Sequence, residues 1–317
     1  MIAQLPSPPK GKKGWPWTQE SKPLPATMPD GSAWPKISIV TPSYNQGCYI
    51  EETIRSVLLQ NYPNLEYVII DGGSTDETVE IIKKYEPWLT YWVSEPDRGQ
   101  SHAINKGFER CTGDIYNWLC SDDFLLEGSL VHVSKLLGNA NPSWLIGNAE
   151  MLREPSKRRR KFRKIVNFGV HNFIQWGEFA VHQPAIFWNK ALHQAKFEVD
   201  EKLHYCMDID LWFKFYETTK PKISQEYYAC TRHHESAKTV NFGSTYENYL
   251  YELARWRIQN VFQSTHKSIL KELEDSLVMV QKELKVWSGI KNHKIGKVLL
   301  LGKKIVNSGF LGYIRNR

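Results

Sequence analysis

Short apolar runs alternate with stretches in which apolar and polar positions recur at helical spacing between residues 36 and 120. The runs at residues 37–41, 65–70, 91–93 and 115–119 predict strands, and residues 49–60, 75–85 and 100–110 predict helices. Ser74 and Glu77 have the spacing of a capping box for the second helix. This alternation predicts an α/β fold with a mostly parallel sheet and helices on both faces, in which right-handed crossovers bring the loops after the strands to one edge.

Changes in composition along the chain predict four regions. The first is an extended arm rich in proline and tryptophan, which Trp15, Trp17 and Trp34 are expected to attach to the body. The main domain follows, with further strands predicted at residues 185–188 and 228–231, and then two helices with a break near Ser264. The predicted bounds are 1–35 for the arm, 36–240 for the main domain, 241–288 for the helical extension and 289–317 for a basic amphipathic tail.

The cysteine content and hydropathy favour a protein of the reducing cytosol. The five cysteines are scattered and include no C-x-x-C pair, so neither a disulfide framework nor a zinc site is indicated. No apolar run approaches the about 20 residues that span a bilayer, and no apolar signal core stands at the N-terminus. We therefore expect a chain that is soluble or peripheral to the membrane.

The net charge of +7 is concentrated in two basic patches. Residues 157–164 contain seven lysines and arginines, and residues 285–317 contain eight and no acid. In the tail, an apolar stripe opposes the lysines, which is typical of an interfacial helix on an anionic membrane surface, although its glycines also fit a loosely ordered tail. No DNA- or RNA-binding module accompanies either patch, so no nucleic-acid partner is predicted, and anionic lipid or diphosphate is favoured.

Aspartates follow two of the predicted strands. Asp71 ends one strand and precedes two glycines, while Asp122 and Asp123 follow another. Carboxyl ends of parallel strands form the ligand crevice of doubly wound sheets, and adjacent carboxylates repel unless a cation, a proton or a sugar hydroxyl lies between them. The alternatives are a turn or cap carboxylate for Asp71 and a surface turn for the pair; for Asp76, capping of amide groups is the preferred interpretation.

Several segments together resemble glycosyltransferase family 2, whose members have the GT-A fold. They are Ser38-Ile39-Val40-Thr41-Pro42-Ser43-Tyr44-Asn45, Asp71-Gly72-Gly73-Ser74-Thr75-Asp76, Glu95-Pro96-Asp97-Arg98-Gly99-Gln100 and Ser121-Asp122-Asp123. The resemblance covers residues 36–240 and depends on the order of the motifs, since each one alone is weak. It implies a Rossmann-like GT-A domain that binds a nucleotide-sugar.

The resemblance also implies roles for single residues. Asp71 would accept the imino hydrogen of a pyrimidine base, Asp122 would approach the ribose or sugar, and Asp123, with Asp122, would ligate Mg²⁺ or Mn²⁺. The other implied nucleotide-sugar contacts are Thr41, Pro42, Tyr44, Asp97 and Arg98. The aspartate that opens the D-x-D signature in most relatives is Cys120 here, so metal binding would rest on fewer carboxylates.

The second half of the domain supplies the candidate catalytic base. Asp208 opens a helical stretch that resembles the acidic motif from which the family draws its base, with Asp210 as the expected structural partner; N-capping is the alternative for Asp208. His234 and Lys238 lie in a loop that resembles the diphosphate-flanking loop, where they would neutralise leaving-group charge. A solvated turn is the alternative for this loop.

These inferences predict an inverting glycosyltransferase of polysaccharide and cell-envelope biosynthesis. It would transfer sugar from a nucleotide diphosphate sugar, with UDP or dTDP favoured, to a glycan or polyprenyl-linked glycan at the cytoplasmic face of the membrane. Two other functions compete with it. One is a catalytically silent sugar-binding or scaffolding protein, which Cys120 favours, and the other is a nucleotidyltransferase, which lacks support because no glycine-rich phosphate loop follows the first strand.

Overall fold

A computed structural model of the chain describes residues 1–138, 141–162, 164–174, 181–195, 198–237 and 244–261. The chain divides into two compact units. The first comprises Met1–Phe168 and Glu178–Tyr249, and the second comprises Gly169–Gly177 and Leu250–Arg317. The predicted tail at 289–317, and the part of the helical extension beyond residue 261, lie outside the described residues.

The first unit contains a mixed sheet. Its strands are β1 Ile37–Ser43, β2 Leu65–Asp71, β3 Tyr91–Ser94, β4 Ile115–Trp118, β5 Phe124–Leu125, β6 Trp144–Arg153, β7 Arg158–Lys161, β8 Ile186–Asn189 and β9 Lys222–His233. Their order is β3-β2-β1-β4-β8-β6-β9-β5, with β7 paired to β6. The four strands from β3 to β4 are mutually parallel, as is the pair β6 and β9, and the other pairs are antiparallel.

Helices cover both faces of the parallel half of this sheet. The helices of the described residues are α1 Ile50–Leu58, α2 Thr78–Tyr85, α3 Gln100–Phe108, α4 Ser129–Leu136, α5 Val170–Ile174, α6 Lys190–His193, α7 Met207–Thr218 and α8 Ser244–Gln259, and of these α1 and α3 cover the two faces. Ile39 belongs to one buried cluster with Ile50 and Ile54 of α1. Val40 points to the other face, where it packs against Gly107 of α3. The α/β prediction, with strands and helices near their expected bounds, is therefore confirmed.

The predicted capping box at the start of α2 is wrong. The helix begins at Thr78, after Glu77, and no side chain caps it at that position. The Ser74 hydroxyl instead donates to Asp71 and accepts from the amide of Asn45, because the loop after β2 folds back on its own strand. Asp76 accepts hydrogen bonds from the amides of Thr78 and Gly47, as expected for a capping carboxylate.

The N-terminal arm is attached to the first unit. Trp17 and Trp34 are buried, and the indole of Trp15 donates to the carbonyl of Leu125 at 2.8 Å. The buried guanidinium of Arg55 in α1 donates to the carbonyls of Pro6, Pro16 and Trp17. The prediction that tryptophans attach the arm to the body is confirmed, and Arg55 adds a polar anchor that the sequence pattern did not indicate.

Gly147 in β6 provides a test of this packing. A Cβ atom at this position would lie 2.0 Å from Cδ2 of Tyr228, whose ring is buried. We expect Gly147→Ala to lower the free energy of unfolding by about 2 kcal/mol, because the ring or the strand must move. Gly138→Ala is the matched control, since its Cβ would meet no atom within 4 Å. Equal denaturant midpoints for both variants would contradict the expectation.

The part of the chain that the structure describes contains no helix that is both long enough and apolar enough to cross a membrane.

Candidate functional site

The loop after β1 lies at the carboxyl edge of the parallel strands. Thr41 and Pro42 are buried in β1, and the hydroxyl of Thr41 lies 3.1 Å from that of Tyr67. Tyr44 follows the strand with 61% of its surface exposed. Parallel strands β1, β2 and β4 end side by side, so this edge offers the crevice in which doubly wound sheets bind ligands.

Asp71 ends β2 with a buried carboxylate that accepts four hydrogen bonds. Its Oδ2 atom accepts from the amides of Gly73 and Ser74 and from the hydroxyl of Ser94, and its Oδ1 atom accepts from the hydroxyl of Ser74. These contacts fix the turn after β2.

Asp97 lies against this turn. Its Oδ1 atom accepts from the amide of Gly99, and its Oδ2 atom stands 2.7 Å from where a Cβ on Gly72 would lie. Only glycine therefore allows this approach without displacement of Asp97. Arg98 is exposed and forms a two-pronged ion pair with Glu201, at 2.8 and 3.0 Å.

Three potential metal ligands converge in the loop after β4. Cys120, Asp122 and Asp123 each offer one ligand atom, and these atoms lie within 4.8 Å of one another. The hydroxyl of Thr53 in α1 holds the loop by donating to the carbonyls of Ser121 and Asp123. Burial and the neighbouring Asp122 carboxylate raise the pKa of Asp123 well above its ordinary value, while Arg232 acts in the opposite direction.

Arg232, at the end of β9, connects this loop to two other elements. Its side chain is 1% exposed and forms ion pairs with Glu52 of α1 and with Glu154, at 2.9 and 2.7 Å. Its Nε atom donates to the carbonyl of Asp122, and its backbone amide donates to Oδ1 of Asp123. Two carboxylates thus compensate the buried guanidinium, while its Nε atom and the backbone amide hold the aspartate pair.

His234 lies beside the aspartate pair. It is buried, with Nε2 3.1 Å from Oδ2 of Asp122 and Nδ1 2.8 Å from the hydroxyl of Ser236. Its ring lies 4.6 Å from that of Tyr49. The solvated-turn alternative is therefore wrong for this histidine. Lys238 lies outside the described residues.

Asp208 lies in the first turn of α7, after the helix has begun at Met207. Burial raises the pKa of its carboxyl to about 6, while the hydrogen bond from the amide of Ile209 opposes the shift. Asp210, the expected structural partner, pairs with Lys214 of the same helix at 2.6 Å.

The first turn of α3 connects the metal-ligand group to α7. The side-chain Nε2 atom of Gln100 lies 3.2 Å from the sulfur of Cys120. The hydroxyl of the next residue, Ser101, lies 2.9 Å from the sulfur of Met207. Gln183 approaches from the other side, with Nε2 2.6 Å from the carbonyl of Trp118 and Oε1 3.7 Å from the Cys120 sulfur. Gln100 ends one of the segments that resemble the family, and Gln183 lies in His182-Gln183-Pro184, which resembles a loop flanking the acceptor and diphosphate. Glu52 and Glu154 were not identified from the sequence, because no local pattern marks them.

Comparison with known proteins agrees with this geometry. Residues 38–187 match the profile described as Glycosyl transferase family 2. The chain is 26% identical over 301 residues to an uncharacterized glycosyltransferase of Rickettsia typhi, covering 88% of this chain and 89% of that protein. It is 41% identical over 92 residues to TuaG of Bacillus subtilis, whose provisional name assigns it to teichuronic acid biosynthesis, covering 28% of this chain and 36% of that one.

Two solved structures share the fold. Residues 1–349 of S. aureus TarS in complex with UDP-GlcNAc superpose with a TM-score of 0.58 at 18% identity, covering 73% of this chain and 68% of that one. The mannosyltransferase PcManGT from Pyrobaculum calidifontis, in complex with GDP-Man and Mn²⁺, gives 0.53 at 14% identity, covering 87% and 88%. With the family match over residues 38–187, which contain Asp71 and the aspartate pair, these similarities indicate a family 2 glycosyltransferase with the GT-A fold.

Proposed function

We propose that this glycosyltransferase transfers sugar, with inversion, from a UDP- or dTDP-sugar to a hydroxyl of a glycan or polyprenyl-linked glycan. The observation that carries the proposal is the convergence of Cys120, Asp122 and Asp123 at the carboxyl edge of the sheet. Further support comes from α7, which carries Asp208 with its pKa raised to about 6, because the first turn of α3 contacts both Cys120 and Met207 of α7. A carboxylate with that pKa is suited to accept a proton near neutral pH.

The donor set fits a divalent cation of the hard or borderline kind. Two carboxylate oxygens from adjacent residues are ligands that Mg²⁺ and Mn²⁺ accept. The hydroxyl of Thr53 holds the backbone of Asp123, and the backbone amide of Arg232 holds its carboxylate. Asp122 and Asp123 would hold the ion, with Cys120 beside them. When bound, the ion supplies neutralisation of the diphosphate as the nucleotide departs.

Asp208 is assigned the role of general base. In the proposed reaction its carboxylate accepts the proton of the acceptor hydroxyl while that oxygen bonds to the anomeric carbon, from the face opposite the diphosphate. The bond from the anomeric carbon to the diphosphate oxygen breaks, and the nucleotide carries the negative charge away. His234, held by Asp122 and Ser236, is assigned to the departing diphosphate.

The bound ligands and the names of similar proteins support a nucleotide-sugar donor and a polysaccharide acceptor. The TarS structure is a complex with UDP-GlcNAc, and the PcManGT structure is a complex with GDP-Man and Mn²⁺. The name of TuaG assigns it, provisionally, to teichuronic acid biosynthesis. The nucleotides bound to TarS and PcManGT have different bases, so the fold alone does not determine which base this chain binds. We assign a pyrimidine to this chain because Asp71 ends β2 beside β1 at this edge of the sheet, where the family resemblance places the residue that accepts the imino hydrogen of a pyrimidine.

The choice of base gives a direct test. We expect the wild-type protein to bind UDP about tenfold more tightly than GDP with Mn²⁺ present, because a site in which Asp71 meets the imino group of a pyrimidine would accommodate the larger purine poorly. Asp71→Asn keeps the shape of the side chain but should reduce the ratio of the affinity for UDP to the affinity for GDP. Ser94→Ala is the control, since it removes one hydrogen bond to Asp71 and leaves the carboxylate. Equal calorimetric affinities of the wild type for UDP and GDP would refute the assignment.

The proposal includes a location in the cytoplasm, peripheral on the inner face of the cytoplasmic membrane. Its support is the composition of residues 290–317, in which lysines oppose an apolar stripe that suits an anionic bilayer surface. These residues lie outside the described part of the chain, so this part of the proposal rests on sequence alone.

A further inference from the structure

The hairpin of β6 and β7 carries a group of basic residues that the proposed reaction does not use. All four residues of β7, from Arg158 to Lys161, are exposed. Arg158 lies directly opposite Arg153 of β6, and Arg160 lies opposite Met151. Directly opposed residues share one face of a sheet, so three guanidinium groups lie together on one side of the hairpin. We call Arg153, Arg158 and Arg160 the arginine row.

Charges on the other face of the hairpin are already compensated. Arg159 lies 3.7 Å from Glu150 and 5.3 Å from the centre of the Phe124 ring. Glu154 accepts from Lys157 and from Arg232. These acids belong to the face that meets the loop after β4, which carries Asp122 and Asp123 and is called the aspartate loop. Within the described ranges, no member of the arginine row forms an ion pair with a carboxylate.

An unpaired row of this kind has an energetic cost. Like charges directly opposite each other on neighbouring strands repel, and Arg153 and Arg158 form such a pair. Each guanidinium presents a planar fork of donors that matches carboxylate or phosphate oxygens in two parallel hydrogen bonds. An anion bound along the row would remove the repulsion, so the face is electrostatically prepared for a negatively charged partner.

The row is continuous with the candidate site. Phe162, the residue after β7, stacks on His182 with ring centres 3.8 Å apart. Gln183, the residue after His182, has its Oε1 atom 3.7 Å from the sulfur of Cys120. On the other side, Glu154 at the start of the hairpin pairs with Arg232, which holds Asp123. The hairpin that carries the row therefore contacts, through Phe162 and Glu154, two residues that adjoin the aspartates and Cys120.

We propose that the arginine row binds the carboxylate or phosphodiester groups of an anionic glycan acceptor whose terminal sugar enters the site. This inference rests on the proposed function for its acceptor class. Arg158 and Arg160 are two residues apart on one strand, about 7 Å, so the row matches successive units of a chain rather than an extended surface. Its connection to Cys120 through Gln183 favours the acceptor over a bilayer, which needs no path to the reacting atoms.

The test compares two double variants of the full chain. Arg158→Gln/Arg160→Gln removes two charges of the row, and Lys83→Gln/Lys84→Gln removes two exposed charges from α2. The probes are polygalacturonate oligosaccharides and neutral galactan oligosaccharides of equal length, measured by calorimetry at two salt concentrations. We expect the wild type to bind polygalacturonate more tightly than galactan, and the arginine variant to lose about tenfold in that affinity and part of its salt dependence. The lysine variant should keep both.

A third variant separates the fork from the charge. Arg158→Lys/Arg160→Lys keeps both positive charges and loses the planar donors, so its affinity for polygalacturonate should lie between those of the wild type and the glutamine variant. All variants should keep the affinity of the wild type for UDP with Mn²⁺, because none of the substituted residues contacts the aspartate loop. Melting temperatures check that the hairpin still folds.

Several results would overturn the inference. They are equal affinity of the arginine and lysine variants for polygalacturonate, equal affinity of the wild type for galactan, and an arginine-dependent loss of binding to phosphatidylglycerol vesicles or single-stranded RNA with polygalacturonate binding unchanged. The proposed function fails separately: a wild type that hydrolyses no UDP-sugar with Mn²⁺ would refute the donor assignment, while the affinities for the glycan probes still decide the role of the row.

Discussion

Asp208→Asn is expected to lower the rate of sugar transfer by about 10³-fold, which is typical for the loss of a general base, while the affinity for the nucleotide stays within about twofold. The amide keeps the size and shape of the carboxyl group in the first turn of α7 but cannot accept the acceptor's proton. Single-turnover transfer and UDP calorimetry measure the two quantities separately.

Asp210→Asn is the matched control for this variant. Asp210 lies two residues further along α7, where it pairs with Lys214 and has no role in the proposed reaction. This second variant should lose stability through the broken pair and keep its turnover per folded molecule. Asp208 would not be the base if Asp208→Asn kept most of its turnover.

The raised pKa of Asp208 adds a pH dependence to the same prediction. The base acts in its ionised form, so transfer should decline as the pH falls through about 6, and this acidic decline should disappear in the residual activity of Asp208→Asn.

The effect of pH on the stability of the protein through Asp208 has the opposite sign. Between the ordinary value of 3.8 and about 6, the folded protein binds a proton that the unfolded chain has released, so stability contributed by this group falls as the pH rises. At pH 7.5, Asp208→Asn should therefore melt above the wild type.

The parallel half of the sheet could be predicted because its signal is local. Apolar strands such as β1 are buried on both faces and appear in the sequence as continuous runs, and the amphipathic helices between them have their own period. The aspartates at the strand ends were identifiable for the same reason, since the end of a run marks the edge of the sheet.

The contacts that order the site could not be predicted in this way. Arg232 and Glu52 are separated by 180 residues, and Glu52 looks like any exposed acid in the first turn of a helix. Gln183 becomes significant only because β8 inserts beside β4 and brings its preceding turn to Cys120. The capping box failed because Ser74 has a closer acceptor in Asp71. In each case the tertiary fold selected the partner, and no spacing along the chain encodes it.

The second large effect is expected at Asp123. In Asp123→Asn the side-chain oxygen can still accept the amide of Arg232, so the loop after β4 keeps its anchor, but the variant loses one of two adjacent negative charges. We expect Mn²⁺ to cease increasing the affinity for UDP, with a loss above the 10- to 100-fold that is typical when residues supporting a metal ligand are changed.

Asp114→Asn is the matched control for the aspartate substitution, because Asp114 precedes β4 at the opposite edge of the sheet, where it accepts from the amide of Lys36. Calorimetry of UDP with and without Mn²⁺ should give the same metal-free affinity for all three proteins, and a metal-dependent gain only for the wild type and the Asp114 variant. Burial, and after it the neighbouring Asp122 carboxylate, raise the pKa of Asp123 because both disfavour its negative charge, and a cation between the two carboxylates would relieve the repulsion. An Asp123→Asn protein that keeps the full Mn²⁺-dependent gain would remove Asp123 from the metal site.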